Sequence, residues 1–214
     1  MASSPPDPSF PAPELAQLRR EMVVYQCALK LVETQLANLN EFYAMGAEAN
    51  PIEHIKTRLK SVDSIAAKLV RRGLPLTAAS ATANLTDIAG ARVICCYAKD
   101  IPEIADAIKA HHDVSVLTEK DYVAAPKPSG YRSYHLVLEV TPGGLFGARS
   151  CPVEVQVRTA AMDFWASLEH RVRYKYDGEI PDHLGKELQA SAERIHDLDE
   201  RLYLIHELVD LINE

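Results

Sequence analysis

Apolar residues between positions 14 and 46 recur at alternating steps of three and four: Leu15, Leu18, Met22, Tyr25, Leu29, Val32, Leu36, Leu39 and Tyr43. No proline or glycine interrupts them before Gly46, and Pro51 follows the run. A seam kept over four heptads predicts one long helix packed on another helix. The C-terminal end repeats the device with Ile195, Leu198, Leu202, Ile205, Val209 and Ile212. Leu204, Leu208 and Leu211 add a second stripe there, wider than one seam needs. Two terminal helices with this much apolar surface predict self-association.

The region between them changes period repeatedly. Ser61–Arg72 has helical spacing, with Ser61 as the N-cap and Gly73 as the stop. Residues 91–98 (ARVICCYA) are almost wholly apolar and predict a buried strand, followed by a helix over 101–110. Strands are expected at 114–123, 135–140 and 153–159, a turn region at Pro142, Gly143, Gly144 and Gly147, and a helix over 160–174. No internal repeat is visible. Strands interleaved with helices in this way predict an α+β domain, a small mixed sheet with helices packed on it. Trp165 and Leu168 of the last helix are expected in the core, and His170 as a structural histidine. Residues 1–13 hold five of the 13 prolines and predict a disordered tail.

The chain has 214 residues, enough for one domain with extra helices, and a net charge of −7. That balance argues against a basic coat for duplex binding and gives single-stranded RNA no independent support. The four cysteines, Cys27, Cys95, Cys96 and Cys151, match neither a CxxC pair nor a zinc spacing. Cys95 and Cys96 are read as buried small hydrophobes, on opposite sides of a strand, in a reducing compartment. No apolar stretch is long enough to span a membrane and no signal peptide is evident, so the expected location is the cytoplasm.

Charge is distributed unevenly. Lys56, Arg58, Lys60, Lys68, Arg71 and Arg72 crowd residues 56–72, where Asp63 is the only acid. An acidic chain that concentrates cations in one segment has a use for them on an anion, although a solvated helix face would read the same way. Two carboxylates sit in strand contexts. Asp87 precedes the buried strand at 91–98. Glu154 alternates with valines in VEVQVR, which puts Glu154, Gln156 and Arg158 on one face and Val153, Val155 and Val157 on the other. If the two acids converge they suit Mg²⁺, which takes one or two carboxylates together with phosphate oxygens and water. The segment Lys127-Pro128-Ser129-Gly130-Tyr131-Arg132-Ser133-Tyr134-His135 sets a tyrosine among cations at a turn, as a nucleotide site would. There is no P-loop and no GxGxxG. The His-Asp pairs at 112–113 and 196–197 lie in surface-like contexts that do not suggest a metal hydrolase.

In this order RLKSVDSIAAKL, LTDIAGARV, DYVAAPKPSGYRSYH and VEVQVRTAAMDFWASLEH resemble the synthetase domain of the RelA/SpoT homologs over residues 51–180. The short flanks resemble the small alarmone synthetases. The resemblance implies a mixed five-stranded sheet similar to nucleotidyltransferases. It also implies transfer of the β,γ-pyrophosphate of ATP to the 3′-hydroxyl of GTP or GDP, giving AMP and pppGpp or ppGpp. By the same resemblance Arg58 and Arg92 sandwich the donor adenine, and Lys60, Ser64 and Lys68 meet the donor phosphates. Asp87 is implied as a Mg²⁺ ligand, and Glu154 as the second acid, which also accepts the proton of the 3′-hydroxyl. Tyr131 is implied to stack on the acceptor guanine, with Lys127 and His135 lining the acceptor phosphates and Gln156 near the acceptor. Residues 14–48 become an oligomerisation helix, 181–214 a C-terminal helix, and the chain a homo-oligomer, a tetramer by resemblance. His54 stands where relatives carry Phe. A sensor of guanine nucleotides or RNA without turnover, or a transferase acting on another acceptor, stays compatible with these residues.

Overall fold

The computed structural model describes residues 9–46, 50–111, 114–175 and 180–213. Six helices and five strands follow in the order α1 (Ala12–Gly46), β1 (Ile52–Leu59), α2 (Val62–Arg71), α3 (Ala78–Asn84), β2 (Ala89–Cys95), α4 (Asp100–Lys109), β3 (Val114–Asp121), β4 (Tyr134–Val140), β5 (Cys151–Thr159), α5 (Ala160–Lys175) and α6 (Asp182–Asn213). The strands form one sheet in the order β1-β2-β5-β4-β3, in which β2 and β5 are parallel and every other pair is antiparallel. This is the α+β, five-stranded mixed sheet that the sequence implies.

The alternation of β5 creates two unlike faces. Val153, Val155 and Val157 are fully buried, and so are their neighbours Ala89, Val93, Leu136 and Leu138 on β2 and β4. α1 lies against β1, β2 and β5, and α4 against β5, β4 and β3. The opposite face carries Arg92, Glu154, Gln156 and His135, and α5 packs against its β2 and β5 strands.

The long N-terminal seam therefore has a different partner from the expected helix. Leu18, Tyr25, Leu29, Val32 and Leu36 are buried on the sheet and on α3. Spacing reports that a helix has a buried stripe, not what covers it. The C-terminal helix docks on α5, and its outer stripes stay exposed. Of the tail expected over residues 1–13, positions 1–8 lie outside the described residues, and the rest is ordered: Phe10 joins the core, and Pro13 lies in the first turn of α1, where its missing N–H is no loss.

Ser61 caps α2 as expected, accepting from Ser64 N at 3.2 Å, and Gly73 leaves the helix at φ +66°. The expected strand at 91–98 is found two residues earlier and ends at Cys95. Past it Tyr97 N donates to Asp100 Oδ2 at 3.0 Å and the chain turns into α4. Cys95 is buried as expected, but Cys96 is exposed, because it falls in this turn rather than in the strand. Leu168 is 41% exposed, off the stripe that buries Met162 and Trp165. β1 and α3 carry no clear pattern and are not anticipated. β1 is an edge strand exposed at Glu53, Lys56 and Arg58, and α3 is a short alanine-rich helix capped by Thr77 and by Glu14 of α1, which accepts from Ala78 N at 2.7 Å. Among the described residues no helix is long and apolar enough to cross a membrane. His112 and Asp113 lie outside the described residues.

Candidate active site

Pairing across the sheet gathers distant residues on its polar face. Arg92 of β2 and His135 of β4 are both in register with Gln156 of β5, and Gly90 is in register with Glu154 on one side and Arg58 of β1 on the other. Side chains at paired positions share a face. Arg58 and Arg92 thus stand diagonally on neighbouring strands, with Glu154 and Gln156 one strand further on.

Asp87 enters from the turn before β2. Lys60, just past β1, and Lys68, on the third turn of α2, both donate to Asp87 Oδ2, Lys68 at 2.5 Å. Ser64 lies in the first turn of α2, one helical turn before Lys68 and on the same helix face, and its Oγ accepts from Ser61 Oγ at 2.8 Å. Burial would raise the Asp87 carboxyl, but the two ammoniums hold it below the usual carboxylate range. Burial lowers Lys60, although Asp87 opposes the shift. Asp87 Oδ1 is buried and has no partner. The rest of the basic cluster divides: Arg72 donates to Asn84 O at 2.9 Å, tying α2 to α3, and Lys56 and Arg71 are exposed.

Glu154 is held from two sides. Its Oε2 accepts from Gln156 Nε2 at 2.7 Å, and its Oε1 lies 3.4 Å from His135 Nδ1. Burial raises this carboxyl, while His135 and Gln156 draw it down further, so the net shift is downward. His135 Nε2 meets Tyr131 OH at 2.8 Å. Lys127 Nζ stands 4.7 Å from the Tyr131 ring centre and 4.6 Å from that of Tyr122. The turn that presents Tyr131 is closed by Gly130 N donating to Lys127 O at 2.8 Å. Gly130 is required twice there: its φ is +86°, and a Cβ would come within 2.5 Å of the Ala192 Cβ on α6.

All eleven residues singled out from the sequence border this one face or the loops at its rim. Two that were not singled out complete it. Arg158 donates to Tyr131 OH at 2.9 Å and also to Gln156 Oε1, and Asp163 of α5 accepts from Arg92 at 2.9 Å and from Arg158 at 3.2 Å. Arg158 was visible on the polar face of β5. An acid in the first turn of a helix is too common to mark Asp163.

Among the described residues no three His, Cys, Asp or Glu side chains converge as a metal cage. Two carboxylates near enough to repel each other, one of them with a buried oxygen lacking a partner, fit a hard cation completed by substrate oxygens and water better than a closed protein site.

Comparison with known proteins identifies the family and the fold. Residues 57–179 match the family described as the region found in RelA/SpoT proteins. The chain is 40% identical over 192 residues to the GTP pyrophosphokinase YwaC of Bacillus subtilis, covering 90% of this chain and 91% of that one. It is 37% identical over 186 residues to the GTP pyrophosphokinase YjbM of the same organism, covering 87% of each. The crystal structure of small alarmone synthetase 1 from B. subtilis bound to its product pppGpp superposes with a TM-score of 0.82 at 36% identity, covering 90% of this chain and 98% of that one. The same synthetase bound to AMPCPP gives a TM-score of 0.74 at 33% identity, covering 91% and 98%.

Proposed function

The chain belongs to the RelA/SpoT family, and from that premise we propose that it is a Mg²⁺-dependent pyrophosphokinase that transfers the β,γ-pyrophosphate of ATP to the 3′-oxygen of GTP or GDP. The products are AMP and pppGpp or ppGpp, the alarmones of the stringent response. The observation that carries the reading is the pairing of Asp87, ringed by Lys60 and Lys68, with Glu154, which adjoins Tyr131 through His135. Phosphate-binding cations lie on one side of the two acids and a stacking ring on the other.

In this reading the adenine lies between the guanidinium planes of Arg58 and Arg92, a stacking that lysine could not reproduce. Lys60, Lys68 and Ser64 take the donor phosphates, so the lysines leave Asp87 for the substrate. Asp87 and Glu154 would hold Mg²⁺, which neutralises charge on the transferred group. Tyr131 stacks on the guanine, Lys127 and His135 meet the acceptor phosphates, and Gln156 orients the acceptor. The new bond joins the 3′-oxygen to Pβ, the bond from Pβ to the bridging oxygen breaks, and that oxygen leaves with AMP. The hydroxyl proton passes to Glu154, which as a carboxylate is ionised at neutral pH and can accept it. No covalent intermediate is needed, since positioning and charge neutralisation do most of the work in phosphoryl transfer.

The test is a transfer assay with Mg²⁺, γ-labelled ATP and GTP or GDP. Label in a more anionic guanine nucleotide, with AMP formed in equal amount, supports the reading. Nucleotide binding without transfer would point instead to a sensor. Arg58→Ala should weaken binding of ATP about 10- to 100-fold, the loss of one stacking partner worth ~1–3 kcal/mol. An unchanged ATP affinity would remove Arg58 from the adenine site.

We also place the enzyme in the cytoplasm as a homotetramer. Residues 51–180 form its synthetase domain and the terminal helices its assembly elements, of which α6 is the better candidate. Leu198, Leu202, Leu204, Ile205, Leu208, Val209, Leu211 and Ile212 are each between 48% and 81% exposed. Apolar patches of that extent mark interfaces. The double substitution Leu202→Glu, Ile205→Glu should lower the mass measured by light scattering to that of a smaller assembly. An unaltered mass would exclude this face.

A further inference from the structure

Arg158 is 2% exposed, and among the described residues Asp199 is the one other side chain of the Asp, Glu, Lys and Arg types that is buried. Removing a guanidinium from water is costly and is offset only by close, complete pairing. Arg158 has one carboxylate partner, Asp163 at 3.2 Å, and its Nε is buried without any. A hydrophobic side chain of similar volume would fill the space more cheaply. The presence of the cation is explained by what it holds.

Its Nη2 binds Tyr131 OH and Gln156, and Asp163 Oδ1 is shared between Arg158 and Arg92. Tyr131 OH in turn meets His135, which neighbours Glu154. An unbroken polar chain thus runs from Arg92 through Asp163, Arg158, Tyr131 and His135 to Glu154. Its first member lies in the proposed donor-base site and Tyr131 in the proposed acceptor-base site.

We propose that Asp163 and Arg158 are positioning residues that join the two base sites, so that filling either nucleotide site raises the affinity of the other. The proposal rests on the pyrophosphokinase reading. One carboxylate oxygen serves two guanidiniums, so Arg92 cannot reorient toward an adenine without changing the hold on Arg158, and through it on the Tyr131 ring. Whichever nucleotide arrives first orders the shared chain, and the second has less left to order. The gain is reciprocal by linkage.

The experiment is calorimetric titration of the full chain with Mg²⁺, a methylene-bridged ATP analogue that cannot transfer, and GDP, each alone and in the presence of the other. In the unaltered protein each ligand should tighten the other by the same factor, about fivefold or more. Asp163→Ala should bring that factor close to one while each ligand still binds alone. Tyr131→Phe keeps the ring and loses only the hydroxyl that Arg158 holds, and should also reduce the factor. It gives an independent answer if Asp163→Ala fails to fold. A merely structural role would lower thermal stability and leave the factor alone. A factor of one in the unaltered protein, or an unchanged factor in a folded variant, overturns the proposal. Absence of binding by either nucleotide to the unaltered protein would overturn the pyrophosphokinase reading itself.

Discussion

Glu154→Gln lowers kcat for pyrophosphate transfer by about 10²- to 10⁴-fold, the usual contribution of a positioned general base. Nucleotide affinities change little. The substitution is nearly isosteric, and the amide can still bond to Gln156 and His135, which flank the carboxylate. What disappears is the ability to take the proton from a ribose hydroxyl, a weak nucleophile on its own, and part of the charge that would hold the metal. Single-turnover rates with pre-bound ATP and GDP, together with the binding constants, check this directly. Turnover within a few-fold of the unaltered protein would take the base assignment away from Glu154. A parallel collapse of ATP affinity would instead make the residue chiefly a binding group.

The largest effect on stability is expected at α1. Leu29→Ala should cost about 2–5 kcal/mol, because the leucine is 3% exposed against a sheet that cannot collapse into the space it leaves. Leu202→Ala, on α6 and 49% exposed, should cost less than ~1 kcal/mol in the isolated chain, since most of its surface already faces water. Urea denaturation at matched protein concentration compares the two. Similar small losses would mean that α1 is not seated on the sheet in solution. A large loss at Leu202 that grows with protein concentration would mark α6 as an interface.

That pair of helices also separates what could be read in the chain from what could not. Both carry steps of three and four, and both were expected to assemble with other helices. The period of 3.6 reports the angular position of apolar residues on a helix and says nothing of the surface opposite. Only the packing decides that the seam of α1 is spent on the sheet while that of α6 remains open. Cys96 and Leu168 failed for a related reason. A strand that stops three residues early, or a helix rotated by part of a turn, moves a side chain from core to water without altering composition. β1 and α3 were missed because an edge strand with one solvated face and a short alanine-rich helix bury too little to impose a pattern.

The α+β class, most element positions to within two residues and the two faces of β5 were legible in the residues, and the order of four motifs, rather than any one of them, singled out eleven residues through a family resemblance. Alternation on a strand is a local property of the backbone, and so is capping by Ser61. The tertiary structure alone decided which residues meet across elements: Lys60 and Lys68 on one oxygen of Asp87, and Arg92 joined to Tyr131 through Asp163 and Arg158. Apart from Arg158 with Asp163, those contacts bridge 19 to 71 positions along the chain. The register of a mixed sheet with one parallel pair sets them, and residues so far apart exert no force on each other until the fold has brought them within hydrogen-bond reach.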